Sequence, residues 1–242
     1  MTDRDLQINF ERRLQLMDPE LVNNNKLNSD TIFAFLNEAI DKFYKTRYSG
    51  INAKSEGFEQ SQKRIDDLRN LVKSITFTTE IFKQGNSYRV TLPDDYVFLL
   101  GDTAGIQPSD DYNDPCWEID EDGNYVVKRN DTIEASVEIL DRQLNNSLSE
   151  HLLKYSTARP LRLIQGNEVL LFTDGKYKVS EYLLTYLSKP EHLDSKNITN
   201  TEYTSLPEHT HMEIVKMAVQ LYLATKPMQH YSAYSAEVQT ME

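Results

Sequence analysis

The stretch 205–227, SLPEHTHMEIVKMAVQLYLATKP, decides how the rest of the chain is arranged. Met212, Val215, Ala218, Val219 and Tyr222 recur at helical spacing, and Ile214, Leu221 and Leu223 widen the apolar stripe. Polar residues are confined to a line through Glu213, Lys216 and Gln220. A helix so apolar is covered on most sides, so other elements must pack around it. Ser205 and Glu208 have the spacing of a capping box, and Pro207 falls in the first turn, where its missing N–H costs nothing. Pro227 ends the helix, because the residue before a proline is pushed out of the α region. These residues read as a core element and carry no sign of catalysis.

The partners of this helix lie at the other end of the chain. Leu6, Phe10, Leu14 and Met17 predict a helix over 3–17, stopped at Asp18–Pro19 and followed by a loop at Asn23–Asn25. A stronger helix is predicted over 29–48, capped by Asn28 or Ser29 and closed by Gly50. Its face is Ile32, Phe35, Leu36, Ala39, Ile40 and Phe43, with Phe33, Tyr44 and Tyr48 beside it. A third, more polar helix over 55–73 carries Phe58, Ile65, Leu68, Leu71 and Val72.

From residue 75 the pattern changes. ITFTTEIF (75–82) is β-branched and aromatic and reads as a strand, with Gln84–Gly85–Asn86 as a turn and YRVTL (88–92) as its hairpin partner. LPDDYVFLLG reads as a short helical turn, with Asp94 and Asp95 near the positive end of its dipole. Residues 102–118 mix Gly, Pro, Asp and Asn and read as a long loop, of the kind that serves interaction. IEASVEIL (133–140), LRLIQ (161–165), VLLFT (169–173) and KVSEYLLTYL (178–187) are further strands, the middle two a hairpin about Gly166–Asn167. The expected class is α+β. Residues 1–74 with 205–227 form a helical bundle, 75–190 an antiparallel β region, and 228–242 an extended tail.

Composition excludes some classes. The net charge of −12 opposes a dominant nucleic-acid-binding role, since gripping phosphates needs clustered Lys and Arg. Cys116 is the only cysteine, so no intrachain disulfide forms, and beside Trp117 it is expected to be a small buried hydrophobe. The N-terminal stretch lacks the apolar core of a signal peptide, and no run reaches the ~20 apolar residues of a membrane span. The expectation is a protein made in the cytosol.

No motif supplies chemistry. Asp120–Glu121–Asp122–Gly123 resembles part of a calcium loop, but Arg129 stands where the closing Glu belongs, so a solvated turn is expected. His209 and His211 are two apart, whereas zinc-binding helices use a spacing of four. A nucleophile elbow, a phosphate-cradling Gly-rich loop and paired cysteines are all missing from the sequence. Catalytic, cofactor and metal residues are therefore expected to be none. Trp117, in the acidic stretch with Pro108 and Pro115, is a candidate partner contact. So are Met228, Tyr231, Tyr234 and Val238 of the tail, because Tyr and Met suit interfaces that are dry on one side.

Three features in order carry a resemblance. They are the helix containing FAFLNEAIDKFYKTRY, the LPDDY turn (92–96) after a β-hairpin, and a strand ending YLSKP (186–190) that leads through a polar connector to LPEHTHMEIVKMAVQLYLATK. Together they resemble the head-to-tail adaptor, or connector ring, proteins of short-tailed bacteriophages, and the later part is most similar to the ring proteins of crAss-like phages. The similarity covers residues 30–225; the acidic stretch at 102–124 and the tail match nothing in it. It implies a structural virion component at the head–tail interface. The expected assembly is a homo-oligomeric ring of twelve copies, with the portal protein above and tail proteins below. The genome would pass through without specific binding, and no cofactor or membrane is involved. A small phage-encoded binding or assembly module is the alternative class. An enzyme is the least supported.

Overall fold

The computed structural model describes residues 1–17, 27–50, 57–112, 115–152, 158–194 and 202–225. The class is α+β, as the sequence predicts. The chain divides into two compact units, Met1–Val72 with Lys189–Glu242, and Lys73–Ser188.

The first unit is helical. Helix α1 (Asp3–Met17) opens with a reciprocal cap: Asp5 accepts the Thr2 N–H at 3.0 Å, and the Thr2 hydroxyl accepts the Asp5 N–H at 3.2 Å. It buries Leu6, Phe10 and Leu14, spaced four apart on one face. Helix α2 (Ser29–Ser49) buries Ile32, Phe33, Leu36, Ala39, Ile40, Phe43 and Tyr44. It ends at Gly50, whose φ of 71° is the left-handed geometry of a helix terminator. The stretch expected as one helix over 55–73 is instead broken. A 3-10 turn at Phe58–Gln60, α3 (Gln62–Leu68) and a second 3-10 turn at Arg69–Leu71 precede a strand that starts at Val72. Its narrow apolar face does not reward a continuous helix.

Helix α5 (His211–Ala224) is the core element expected of it, burying Ile214, Val215, Met217, Ala218, Val219, Tyr222 and Leu223. Tyr222 meets Phe10 of α1 and Phe35 of α2 edge-on, with centroids 6.2 Å and 5.4 Å away, so three helices converge on one ring. Its start differs from expectation. A 3-10 turn, Glu208–Thr210, leads in, and the Ser205 hydroxyl accepts the Glu191 N–H at 3.3 Å in place of capping the helix. Asp18–Pro19, Asn23–Asn25 and Pro227 lie outside the described residues.

The second unit holds two sheets. Its strands are β1 (Val72–Phe77), β2 (Phe82–Gln84), β3 (Ser87–Thr91), β4 (Tyr96–Pro108), β5 (Lys128–Asp131), β6 (Ile133–Glu134), β7 (Leu161–Gln165), β8 (Glu168–Phe172) and β9 (Tyr177–Ser188). The first sheet has the order β1-β9-β4-β5 and the second β2-β3-β8-β7-β6. Strands β4 and β9 pair antiparallel along most of their length, and β6 lies parallel to β7. Side chains of both sheets share one core, with Phe77, Ala104, Ile106, Val179, Tyr182, Leu184 and Tyr186 from the first meeting Tyr88, Val90, Val169 and Leu171 from the second. The chain passes from one sheet to the other at β1–β2, β3–β4, β5–β6 and β8–β9.

Four local expectations are corrected. The run 75–82 is two strands in different sheets: Phe77 stacks on Tyr182, and the exposed residues Thr78–Glu80 carry the chain across to β2. Only β2 makes the hairpin with β3. Residues 93–96 form a turn, closed by the Tyr96 N–H on the Pro93 carbonyl at 3.0 Å, and a strand follows in place of a helical turn. That strand runs through 102–108, the first part of the expected loop, because its atypical residues are accommodated. Asp102 is paired, and Gly105 makes room for a neighbour's side chain. Of 133–140 only Ile133–Glu134 is strand, and α4 (Leu140–Leu144) follows.

Candidate functional site

Charged residues gather at two places inside the units. In the first unit Arg47 of α2, 2% exposed, meets Asp67 of α3 at 3.1 Å and Glu213 of α5 at 2.6 Å. Asp67 is fully buried, and the half-exposed His209 reaches its other oxygen at 3.0 Å. This cluster ties three helices together and so orders the bundle by geometry. Arg64 is buried beside it, with Nε and Nη1 lacking a hydrogen-bond partner among the described residues. His211 is buried in the same unit. Its Nε2–H donates to the Leu206 carbonyl at 3.0 Å, and burial pushes its pKa down.

In the second unit the Asp102 side chain, 4% exposed, accepts hydrogen bonds from Thr132 Oγ1 at 2.6 Å, Tyr182 OH at 2.9 Å and Arg162 Nη1. Burial, and then the charge of Asp102, raise the Tyr182 hydroxyl far above its ordinary range, so it stays a donor. Both oxygens of the carboxylate are engaged by the protein itself, Oδ2 by Thr132 and Tyr182 and Oδ1 by Arg162. Such an arrangement supports the sandwich and leaves no group poised for proton transfer. Among the described residues, no three or more His, Cys, Asp or Glu side chains are grouped to hold a metal ion. A shallow groove of about 430 Å³ is lined by Leu144, His151, Leu152 and Phe172 with Gln84 and Asp174. His151 is occupied there, its Nδ1 2.8 Å from Ser149 Oγ and its carbonyl accepting the Tyr177 hydroxyl.

The acidic stretch is built around Trp117. Its indole is 7% exposed, and its N–H donates to the Val126 carbonyl at 2.7 Å. Lys128 Nζ lies 5.8 Å from the ring centroid and 3.4 Å from Glu118. Above this staple the chain makes a small hairpin. The Val126 N–H bonds to the Glu118 carbonyl, Ile119 bridges Tyr125, and the Asp120 N–H bonds to the Asn124 carbonyl. Asp120 Oδ1 closes the tip by accepting the N–H groups of Asp122 and Asn124, and Gly123 takes a φ of 83° that favours glycine. Trp117 is thus spent on positioning the hairpin, and the outward side chains are Glu118, Ile119, Asp120, Glu121 and Asp122. Cys116, expected to be buried, is exposed. Trp117, expected as a partner contact, fills the buried position instead. Met228, Tyr231, Tyr234 and Val238 lie outside the described residues.

The exposed apolar side chains are a feature that sequence reasoning missed. Phe82 on β2 is 64% exposed and Ile119 on the hairpin is 58% exposed. Both sit in runs that periodicity reads as ordinary strand or loop, and exposure is decided only when the sheets assemble. No helix of the described residues is long and apolar enough to cross a membrane. The sequence profile of the family described as phage tail ring protein 3/4 matches residues 21–233. No curated protein matches the chain.

Proposed function

The chain belongs to the phage tail ring protein family, and from that membership we propose that it is one of the structural rings between the portal and the tail of a crAss-like bacteriophage. The observation that carries this reading is the family match, which runs from before α2 to beyond α5 and so covers both units. In the proposal twelve copies close a ring by heterologous contacts, each subunit offering one face and receiving another. The portal lies above, further tail proteins lie below, and the genome passes through the lumen. The acidic balance supports a lumen that holds DNA weakly, because each added Lys or Arg contact would raise counterion-release affinity and retard passage. The absence of a catalytic motif from the sequence, and the inward commitment of both buried charge clusters, support a role without catalysis.

The test is imaging of purified particles by cryo-electron microscopy together with their protein content by mass spectrometry. A ring of this chain at the head–tail junction is the expected result, and its absence from washed particles would end the proposal. The tail residues Met228, Tyr231, Tyr234 and Val238 are proposed as contacts to a neighbouring subunit or the portal. Deletion of 228–242 should then leave the melting temperature of the isolated subunit nearly unchanged and abolish incorporation. Normal incorporation of the truncated chain would contradict that assignment.

A further inference from the structure

His211, the first residue of α5, is buried, and both of its ring nitrogens have a partner. Nε2 lies 3.0 Å from the Leu206 carbonyl, which can only accept, so Nε2 carries a proton. In the neutral ring Nδ1 is then an acceptor, and 3.3 Å from it stands the Met1 nitrogen, an ammonium that can only donate. The two contacts together fix one tautomer. They also join three pieces of the first unit: the residues ahead of α1, the connector at 202–206 and the start of α5. Around this point Met1 and Thr2 lie along the connector. The Tyr203 N–H donates to the Met1 carbonyl at 3.0 Å, Thr2 bridges Glu202 in antiparallel fashion, and Asn9 Nδ2 is 3.9 Å from the Met1 sulfur. The Tyr203 ring is 5.7 Å from the imidazole, centroid to centroid.

We propose that His211 is an acid-released latch: with a neutral ring it holds Met1 and Thr2 against residues 202–206, and with a proton on both nitrogens it releases them. A proton arriving at Nδ1 from solvent turns the acceptor into a donor and sets two positive groups face to face. The contact to Met1 then becomes repulsive, whereas the Nε2–H bond to Leu206 survives. The surrounding groups set the bias. Burial opposes the charged ring most strongly, and the bond to the Leu206 carbonyl favours it. The Met1 ammonium and His209 oppose it, and Glu208, 4.0 Å from the Met1 nitrogen, favours it. Asp3, Asp41 and Glu191 act on the adjacent Tyr203. The balance holds the His211 pKa below its ordinary value. The latch is therefore fully shut above the free value, about 6.5, and loosens as pH falls from there through the folded one. The release is local, because Leu6, Phe10 and Leu14 are buried and Phe10 meets Tyr222. Helix α1 stays on the bundle while the residues ahead of it leave.

Amide hydrogen exchange of the full chain, followed by NMR and corrected for the intrinsic pH dependence of exchange, tests the latch. The Tyr203 amide reports it directly, since its acceptor is the Met1 carbonyl. Opening at Tyr203 should increase about tenfold for each pH unit between the free and the folded value, the slope of one proton. The amides of α5 around Tyr222 should show no such slope. His211→Gln keeps a donor and an acceptor but does not titrate, so it should abolish the slope at Tyr203. His209→Gln should leave it as in wild type. A Tyr203 amide indifferent to acid would overturn the proposal, as would a slope that persists in His211→Gln or vanishes in His209→Gln. An equal slope at Tyr203 and throughout α5 would mean global unfolding in place of local release, and the latch would again be wrong. A second measurement does not depend on the variants folding. Long-range proton–nitrogen correlation of the wild-type imidazole should show an unprotonated Nδ1 at neutral pH, gaining its proton along the same curve as the Tyr203 amide opens. A proton on Nδ1 at neutral pH would remove the acceptor on which the latch depends.

Discussion

Glu181 lies over Gly105. On the first sheet the row Glu181–Gly105–Arg129 crosses β9, β4 and β5, and the glutamate side chain passes above the glycine to reach Arg129. A methyl group on Gly105 would collide with Glu181 Cγ and stand 2.7 Å from Val127 Cγ1. Gly105→Ala should therefore destabilise the chain by about 1–3 kcal/mol, the usual cost of overpacking. Adding Glu181→Ala should recover part of that loss, because it removes the nearest obstacle. Chemical denaturation of the three variants is the check, and strict additivity would show that the glutamate is not the obstacle.

Asp102 offers a second test. Removing one member of a buried charged pair costs about 3–5 kcal/mol, since its partner is left without compensation. Asp102→Ala should fall in that range, whereas Asp102→Leu combined with Arg162→Met should lie much closer to wild type. Equal losses for the single and the double variant would mean that Thr132 and Tyr182, and not the ion pair, carry the stability.

The turn expected to stabilise a helix dipole with Asp95 uses that residue differently. Asp95 accepts the Tyr186 hydroxyl at 2.8 Å and the Lys73 ammonium at 2.6 Å. Burial, then the hydrogen bond to Asp95, push the Tyr186 pKa up to about 12. A free tyrosine titrates near about 10. Because the folded value is the higher one, the stability from this hydroxyl is complete below the free value and is lost as pH rises through the folded one. Urea melts across that window should show a steeper decline for wild type than for Tyr186→Phe. For Asp95, burial raises the pKa, but the hydrogen bonds from Lys73 and Tyr186 outweigh it and leave it lowered. Its contribution is present above the ordinary carboxylate range and is lost on acidification. Lys73→Met should therefore lessen the acid sensitivity, and parallel acid melts would argue otherwise.

In the helical unit, Val219 is fully buried on α5. Val219→Asp places an unpaired charge in apolar packing and should cost more than about 3 kcal/mol. Thermal melting would show it, and a wild-type profile would mean that α5 is not a core helix.

What the sequence made legible follows from how much of each decision is local. Helices α2 and α5 are readable because wide apolar faces repeat over several turns. The β7–β8 hairpin is readable because Gly166, at a φ of 61°, marks its turn, and β9 because its run is long and apolar. The division of 75–82 between two sheets is not local, since both halves look alike and only Phe77 against Tyr182 separates them. Nor is β4 beyond Gly101, where Asp102 and Gly105 suggest a loop until Arg162 and Glu181 are seen opposite them. For the candidate surfaces, Trp117 was conspicuous by type, but its burial and the outward turn of Ile119 depend on the Val126 carbonyl nine residues away. Phe82 was invisible because an edge strand and an inner strand share one composition. The bonds among Arg47, Asp67 and Glu213 span three separate helices and leave no periodic trace.

Helix α5 has one more consequence, for the order in which the chain is made. The strands of the second unit among the described residues precede Lys189, whereas the first unit waits for residues 211–224 to complete a core begun at Leu6. During synthesis the inserted unit holds everything it needs while the helices emitted first still expose Phe10, Leu36 and Phe43. A polypeptide cut short before α5 would carry a finished sandwich on an unfinished bundle. Only a chain translated through α5 supplies Tyr222, the ring on which Phe10 and Phe35 meet.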